Sequence, residues 1–330
     1  MGRIDRRQKN TDVLTRMAVV WTLALTCCAL WGSAFACIKT GYKLFRVAEN
    51  DPASQILFAG CRFFLAGVLV TLIGSVMARK VLRPRRGEMH RVFVLSLFQT
   101  IGQYVCFYIG LAHLSGVEGT IINGAVPIFS VLTASLVVRQ EKLTGAKAAG
   151  CLIGFAGLVL VTLDGSALDF SFRWSGEGLM LLAAVSTAFS NVYIRRFSQY
   201  SDPVMLSGWQ FMTGGLVMAG IGLALGGSLT LTTPWGLLLL FYLAVISSVA
   251  YTLWSVLLKH NPVSRIAVFG FMTQVFGVLI SAVVLNEFDR LDWSTLLSLV
   301  LVCSGIYLTT QERTGFKKEQ KEIVSNGREE

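Results

Sequence analysis

Charged residues are scarce in this chain of 330 residues, since Asp, Glu, Lys and Arg together make up only 15% of it. An ordinary soluble domain carries about 25%. At the same time, 54% of the residues are hydrophobic. A water-soluble globular protein needs more charge to cover its surface, so the composition excludes the common soluble classes and indicates a membrane protein.

The signatures of enzymes and metal sites are also missing. The three histidines lie far apart in sequence, and the seven cysteines form no CxxC pair. The chain contains no HExxH, no GxSxG and no Walker A motif, which excludes the zinc hydrolases, serine hydrolases and P-loop proteins that carry them. No Asp or Glu lies deep in an apolar segment. We therefore predict that the protein is not an enzyme, uses no cofactor and holds no metal.

Long apolar segments are what the sequence has instead. A helix rises about 1.5 Å per residue, so about 20 apolar residues cross the hydrocarbon core of a bilayer. Ten such segments run from Ala18 to Thr310. The sequence predicts an all-α integral membrane protein with ten transmembrane helices, at 17–37, 53–78, 92–113, 117–138, 145–163, 175–194, 204–226, 234–258, 262–285 and 293–311.

The positions of the cations predict the orientation. Of the 29 Lys and Arg residues, 23 lie on the side that carries both termini, five lie on the other side, and Arg62 lies inside a span. Cationic flanks resist translocation. We therefore expect basic cytoplasmic tails at 1–16 and 312–330. This topology explains the net charge of +10, so no nucleic-acid partner is expected. We also expect an uncleaved first helix, because signal-peptide cleavage would leave nine spans.

The two halves of the chain resemble each other. At an offset of 146 residues, Gly124 corresponds to Gly270 and Glu141 to Glu287, and an Asp-Pro pair precedes both the second and the seventh span. Because the repeat has five spans, the second copy must enter the membrane in the opposite orientation. Inverted repeats are typical of secondary transporters. We predict two inverted five-helix repeats, at 17–163 and 174–311. The alternative is that duplication merely produced a large bundle.

Several short motifs resemble a known family. They are the segment Leu30-Trp31-Gly32-Ser33-Ala34-Phe35, Pro52 followed by Arg62, Pro127, and Glu141 followed by Leu143. Together they are similar to the EamA domain family of the drug/metabolite transporter superfamily, over residues 18–311. The resemblance implies a ten-helix inner-membrane carrier for small organic solutes, often an exporter of amino acids or related metabolites. The second half departs from the first, because Thr273 stands where Pro127 stands in the first half.

Arg62 is the clearest candidate for a functional residue. A lone cation near the bilayer centre costs about 2.5–3.5 kcal/mol on insertion scales, so a structural or functional role must offset that cost. Arg62 either pairs with an anionic group of a substrate or clamps the carbonyl groups at a helix end. Trp31, near the outer end of its span, either gates a cavity or anchors the helix at the interface.

Polar and aromatic side chains on several other spans form helical stripes. They either line a cavity for a zwitterionic or aromatic solute or hydrogen-bond the helices to one another. For the serines of the sixth span the second interpretation is favoured. Gly150 and Gly154 form a GxxxG motif that predicts tight helix contact, in a monomer or a weak homodimer. The predicted substrate-binding residues are Trp31, Arg62, Gln99, Gln103, Asn123, Asn191, Tyr251, Trp254 and Gln274.

The function that follows from these features is secondary transport. We predict a carrier that moves a small organic metabolite through the lipid bilayer by alternating access, as an efflux system. A channel or uncoupled facilitator is the alternative, and a membrane enzyme is a third. A proton-coupled carrier usually needs a titratable group in its pathway, and no carboxylate lies deep in a span. Either Arg62 and the substrate together provide the coupling, or transport is uncoupled.

Overall fold

The computed structural model describes residues 13–48, 50–111, 113, 122–162, 173–284 and 293–310. Helices account for most of these residues, and no strand occurs among them. Wide π-helical turns at Ser96–Gly102, Thr133–Val137 and Trp174–Gly178 join or extend α-helices. The α-helices are α1 Met17–Leu44, α2 Pro52–Ala78, α3 Met89–Leu95, α4 Gln103–Leu111, α5 Val126–Leu132, α6 Gly145–Thr162, α7 Leu179–Phe197, α8 Pro203–Ala224, α9 Pro234–His260, α10 Val263–Ala267, α11 Gly270–Val284 and α12 Trp293–Thr310.

In the part of the chain that the structure describes, six helical stretches are long and apolar enough to cross a membrane. They are Met17–Ala34, Pro52–Ala78, Arg86–Gly110, Trp174–Phe197, Pro203–Ala224 and Pro234–His260. The other four predicted spans correspond to shorter apolar helices, at Val126–Val137, Gly145–Leu160, Val263–Gly277 and Leu299–Thr310. Helix α1 continues to Leu44, beyond the end predicted at residue 37. The chain is thus an all-helical, multi-pass membrane protein.

The repeated Asp-Pro pairs begin two of the long helices. The Asp51 side chain accepts a hydrogen bond from the Ser54 N–H at 3.0 Å, and Pro52 is the first residue of α2. Asp202 accepts from the backbone N–H groups at 204 and 205 in the same way, ahead of α8. Aspartate caps otherwise unpaired N–H groups, and proline suits the first helical turn because its missing N–H has no partner to lose there. The hydrogen bonds from Ser54 also lower the pKa of the Asp51 carboxyl.

Helices α2 and α8, which follow these caps, pack closely along their length. Small residues make the close approach possible, because a Cβ at Gly67 would lie 2.5 Å from the Met212 backbone nitrogen. A Cβ at Gly222 would lie 2.7 Å from the Leu57 nitrogen and 2.8 Å from its Cα. Since lipid tails are as apolar as leucine, helix association in a bilayer depends on van der Waals contact of this kind.

We expect Gly222→Ala to destabilise the protein by about 1–3 kcal/mol, because the added methyl group forces two backbones apart. Gly220→Ala, two residues away on α8, is the matched control, since nothing lies within 4 Å of a Cβ there. Thermal unfolding of the two purified variants measures the difference. Equal unfolding temperatures would contradict the packing described for α2 and α8.

The GxxxG motif of α6 packs within the chain. A Cβ at Gly305 of α12 would lie 2.5 Å from the Gly150 carbonyl oxygen and 2.6 Å from the Gly154 nitrogen. Tight helix contact at this motif was predicted, and the partner is α12 of the same chain. This face of α6 is therefore covered in the monomer.

A buried carboxylate joins the two halves at the end of the molecule where the cationic loops lie. Glu141 follows the π-helical turn after α5, and its side chain is 1% exposed. It accepts hydrogen bonds from the Val263 N–H and the Ser264 hydroxyl at the start of α10, and it pairs with Lys147 Nζ at 3.2 Å. The predicted counterpart Glu287 lies outside the described residues. Glu141 thus fixes α10 against the α5–α6 connection.

Candidate functional site

Arg62 lies in the interior of the helical bundle, where α2 faces α9. Its side chain is buried, and its Nε and Nη2 donate hydrogen bonds to the Ser247 hydroxyl at 3.1 and 2.9 Å. The guanidinium carbon lies 4.9 Å from the centre of the Phe63 ring. Within the described part of the chain, Nη1 has no hydrogen-bond partner and no carboxylate forms an ion pair with Arg62. The guanidinium therefore keeps one donor group and its whole charge available.

Tyrosines surround the guanidinium. Tyr104 and Tyr251 share a hydrogen bond between their hydroxyl oxygens, which lie 2.7 Å apart. Arg62 interacts electrostatically with both of them, as well as with Tyr42 and Tyr108. This part of the core is therefore both aromatic and positively charged.

Two tryptophans continue the cluster toward α7. The ring of Trp31 on α1 lies 5.0 Å from the rings of both Tyr251 and Trp254 on α9, in edge-to-face geometry. Trp254 Nε1 donates to Asn191 Oδ1 at 3.0 Å, and Asn191 Nδ2 donates to the Ser130 hydroxyl at 3.1 Å. Trp31 Nε1 is buried and has no hydrogen-bond partner in the described structure.

The structure thus brings five of the nine predicted site residues into one contiguous cluster, built from α1, α2, α4, α7 and α9. The five are Trp31, Arg62, Asn191, Tyr251 and Trp254. A sixth predicted residue, Gln103 on α4, lies at the edge of the cluster, because its side chain interacts with Tyr251. Its Oε1 is buried without a hydrogen-bond partner among the described residues.

Among the described residues, no contact connects the other three predicted residues to this cluster. Gln99 is buried in the π-helical turn between α3 and α4, with no partner there for its Oε1. Gln274 is buried on α11, and Asn123 is half-buried before α5. Their role in binding stays a prediction.

Of the serines of the sixth span, Ser186 hydrogen-bonds a neighbouring helix, as favoured by the sequence, whereas Ser190 does not. Ser186 donates to the Phe98 carbonyl at 2.8 Å, and so satisfies a backbone group of the π-helical turn. Ser190 donates to the Thr187 carbonyl within its own helix, also at 2.8 Å. A π-helical turn leaves carbonyl groups out of the regular helical ladder, and a neighbouring hydroxyl is one way to satisfy them.

Two features of the site were not predicted as binding residues. Ser247 holds Arg62, and Tyr42 at the far part of α1 lies close to it. The sequence signal for Ser247 was weak, because serine is common in membrane helices and its importance depends on which face of α9 meets α2. The sequence signal was stronger for the tyrosines of α4 than for Ser247, since Tyr104 and Tyr108 lie one helical turn apart.

These features together define a class of protein. Apolar helices of membrane-spanning length enclose an aromatic cluster and a buried cation that has no carboxylate partner among the described residues, which is the general arrangement of a membrane transport protein. Two segments of the chain, 19–163 and 174–311, match the EamA-like transporter family. The chain belongs to this family, which confirms the predicted resemblance.

Several relatives and one solved structure agree with this assignment. A chloroplastic WAT1-related protein of Arabidopsis thaliana is 29% identical over 87% of this chain and 67% of its own length. A probable amino-acid metabolite efflux pump of Salmonella typhimurium is 25% identical, covering 92% of this chain and 97% of the pump. A solved crystal structure covers 89% of this chain and 97% of its own, with a TM-score of 0.73 and 18% identity, so it shows the same fold.

Proposed function

We propose that this protein is a secondary carrier that exports a small organic metabolite, an amino acid or a related solute, across the cell inner membrane. The observation that carries the proposal is Arg62, a buried cation with a free donor group and no carboxylate partner among the described residues. A buried charge is costly unless something pairs with it. The carboxylate of a substrate would supply that partner, and guanidinium groups bind carboxylates well because two N–H groups can donate side by side.

The surroundings of Arg62 support an amphipathic solute. Trp31, Tyr251 and Trp254 present ring faces and edges on one side, while Asn191 presents amide groups beside them. Such a site fixes a small molecule by a few polar contacts and covers the rest of it with apolar surface. An amino acid or a close relative has this combination of charge and side chain. The Salmonella typhimurium relative, a probable amino-acid metabolite efflux pump, agrees with that solute class.

Alternating access is the mechanism that the repeat favours. We assign 17–163 and 174–311 as inverted repeats, with five spans each and both termini cytoplasmic. Corresponding helices of the two halves, α2 with α8 and α6 with α12, pack against each other. Two similar halves can adopt inward-open and outward-open arrangements of comparable energy around one central site. Because Arg62, Tyr251 and Trp254 are buried, a solute reaches them only when helices move apart.

Exchange of solute across proteoliposome membranes tests the proposal. A carrier exchanges solute at a saturable rate, and internal unlabelled solute accelerates the entry of labelled solute. A channel conducts in proportion to the gradient, and an enzyme releases product without flux. Saturable exchange supports the proposal, whereas linear conductance or product without flux would overturn it.

A further inference from the structure

A basic recess opens at the end of the molecule where the cationic loops lie, and it shares no lining residue with the aromatic cluster. It has a volume of about 960 Å³ and lies between the segment after α2, the turn between α7 and α8, and the end of α9. Five cationic side chains line it, namely Lys80, Arg83, Arg85, Arg86 and Lys259. A concave surface with this density of positive charge attracts an anion more strongly than a flat one does.

The two acidic residues of the recess are hydrogen-bonded within the protein, and among the lining cations only Arg85 is seen to interact electrostatically with one of them, Glu88. Glu88 accepts hydrogen bonds from the Arg85 backbone N–H at 2.9 Å and from the Ser201 hydroxyl at 2.8 Å. Asp202 caps the start of α8. No ion pair between either carboxylate and a lining cation occurs among the described residues. Most of the positive charge of the recess is therefore left for an external partner.

Hydrogen bonds hold the walls of the recess in place. The Leu82 N–H donates to the Ser75 hydroxyl at 2.9 Å, and the Leu82 carbonyl accepts from Trp209 Nε1 at 2.9 Å. Arg91 donates to the Ser201 hydroxyl at 2.7 Å, so the α7–α8 turn is tied to the start of α3. Gln199 donates to the Lys259 carbonyl at 2.8 Å, which closes the third side. The cations are thus presented by a preorganised frame, which lowers the entropy cost of binding.

Apolar surface borders the recess. Val76 and Met77 on the last turn of α2 are 77% and 81% exposed, and Val81 beside them is 77% exposed. Side chains of this kind are expected to face acyl chains rather than water at the end of a transmembrane helix. A molecule that joins a phosphate to hydrocarbon chains would match both the cations and this border.

We propose that the recess binds the phosphate group of an anionic phospholipid headgroup, with the acyl chains lying along Val76, Met77 and Val81. Basic pockets beside transmembrane helices bind anionic headgroups because each Lys or Arg near the membrane surface contributes about fivefold in affinity. The general excess of cations on this side of the chain would attract anionic lipid uniformly, whereas the recess binds it at one place. The two explanations differ in which cations contribute to lipid binding: all those on this side of the chain, or those that line the recess.

Native mass spectrometry of the delipidated full-length protein tests the proposal. Phosphatidylglycerol and phosphatidylcholine with identical acyl chains are titrated separately, and glycerol 1-phosphate is titrated as the soluble form of the same phosphate group. The site variant is Arg83→Gln with Arg86→Gln. The matched control is Lys142→Gln with Arg196→Gln, which removes two exposed cations from other cationic loops. Melting temperatures show that each variant is folded, and Lys80→Gln with Lys259→Gln replaces the first pair if it is not.

We expect one phosphatidylglycerol per protein, about 30-fold weaker binding in the site variant, and a change of less than about threefold in the control. Phosphatidylcholine should bind weakly to all three proteins. Equal losses in the two variants, or equal binding of both lipids, would overturn the proposal. Glycerol 1-phosphate binding as tightly as phosphatidylglycerol, with the same dependence on Arg83 and Arg86, would overturn the assignment to a lipid and leave a soluble phosphate as the ligand.

Discussion

Arg62→Gln is expected to abolish transport while the protein stays folded. The glutamine amide can still donate to the Ser247 hydroxyl, which is the hydrogen-bond partner of Arg62 in the structure. The substitution removes a buried charge that has no carboxylate partner in the described structure, so the folded protein loses little stability or gains some. Loss of a buried, charge-paired contact to the substrate costs about 2–5 kcal/mol, so we expect transport to fall at least about 30-fold.

Two further variants separate function from architecture at this position. Arg62→Lys keeps the charge but loses the planar fork, so it should retain part of the transport rate. Ser247→Ala removes the anchor of the guanidinium but not its charge, and should reduce transport less than Arg62→Gln does. Transport by Arg62→Gln at the native rate would contradict the substrate-binding role. Failure of both Arg62 variants to fold would instead support the clamp considered in the sequence analysis.

Glu141→Ala is expected to lower the stability of the protein by about 3–5 kcal/mol. The carboxylate accepts from the backbone and hydroxyl of Ser264 and pairs with Lys147, whose side chain is 11% exposed. Removing one partner of a buried pair leaves the other charge without compensation, which is the cause of the large effect. Thermal unfolding of the purified protein in detergent measures it.

The matched control for this prediction is Glu177→Ala. Glu177 also accepts a backbone hydrogen bond, from the Arg173 N–H at 2.8 Å, but it has no buried cation to compensate. We expect a much smaller loss of stability there than for Glu141→Ala, because Glu177 is exposed at a helix start. In addition, Glu141→Gln combined with Lys147→Met should recover part of the loss, because no charge remains buried. An unfolding temperature for Glu141→Ala equal to that of Glu177→Ala would contradict the proposed junction.

Hydropathy was sufficient to predict most of the helices, and the two Asp-Pro pairs that indicated a repeat cap two of those helices in the structure. Asp51 and Asp202 mark helix starts with local chemistry, so their effect does not depend on the rest of the fold. The end of α1 was wrong, because the helix continues past the apolar residues that the hydropathy pattern detects. The π-helical turn at Ser96–Gly102 was not predicted, since it depends on Ser186 of a distant helix.

The sequence selects candidate site residues where burial in a membrane is costly, and their role in binding stays a prediction. Arg62, Trp254 and Asn191 were selected because a polar group in an apolar span needs a partner, and the structure supplies contacts for each. Ser247 could not be predicted as a site residue, because a serine in a membrane helix has only a small free-energy cost. Its importance comes from its position opposite α2. Gln99 and Gln274 obeyed the same rule as Arg62 without joining the cluster, so polarity alone does not identify which face meets the centre.

Solute exchange by the reconstituted protein tests the central claim most directly. Proteoliposomes are loaded with one unlabelled solute from a panel of amino acids, purines and amphipathic cations, and entry of the same labelled solute is measured with native protein and with Arg62→Gln. We predict that at least one solute with a carboxylate gives saturable entry that internal solute accelerates, and that Arg62→Gln does not support it. Acceleration by no solute of the panel, or equal exchange by both proteins, would contradict a carrier with Arg62 at its substrate site.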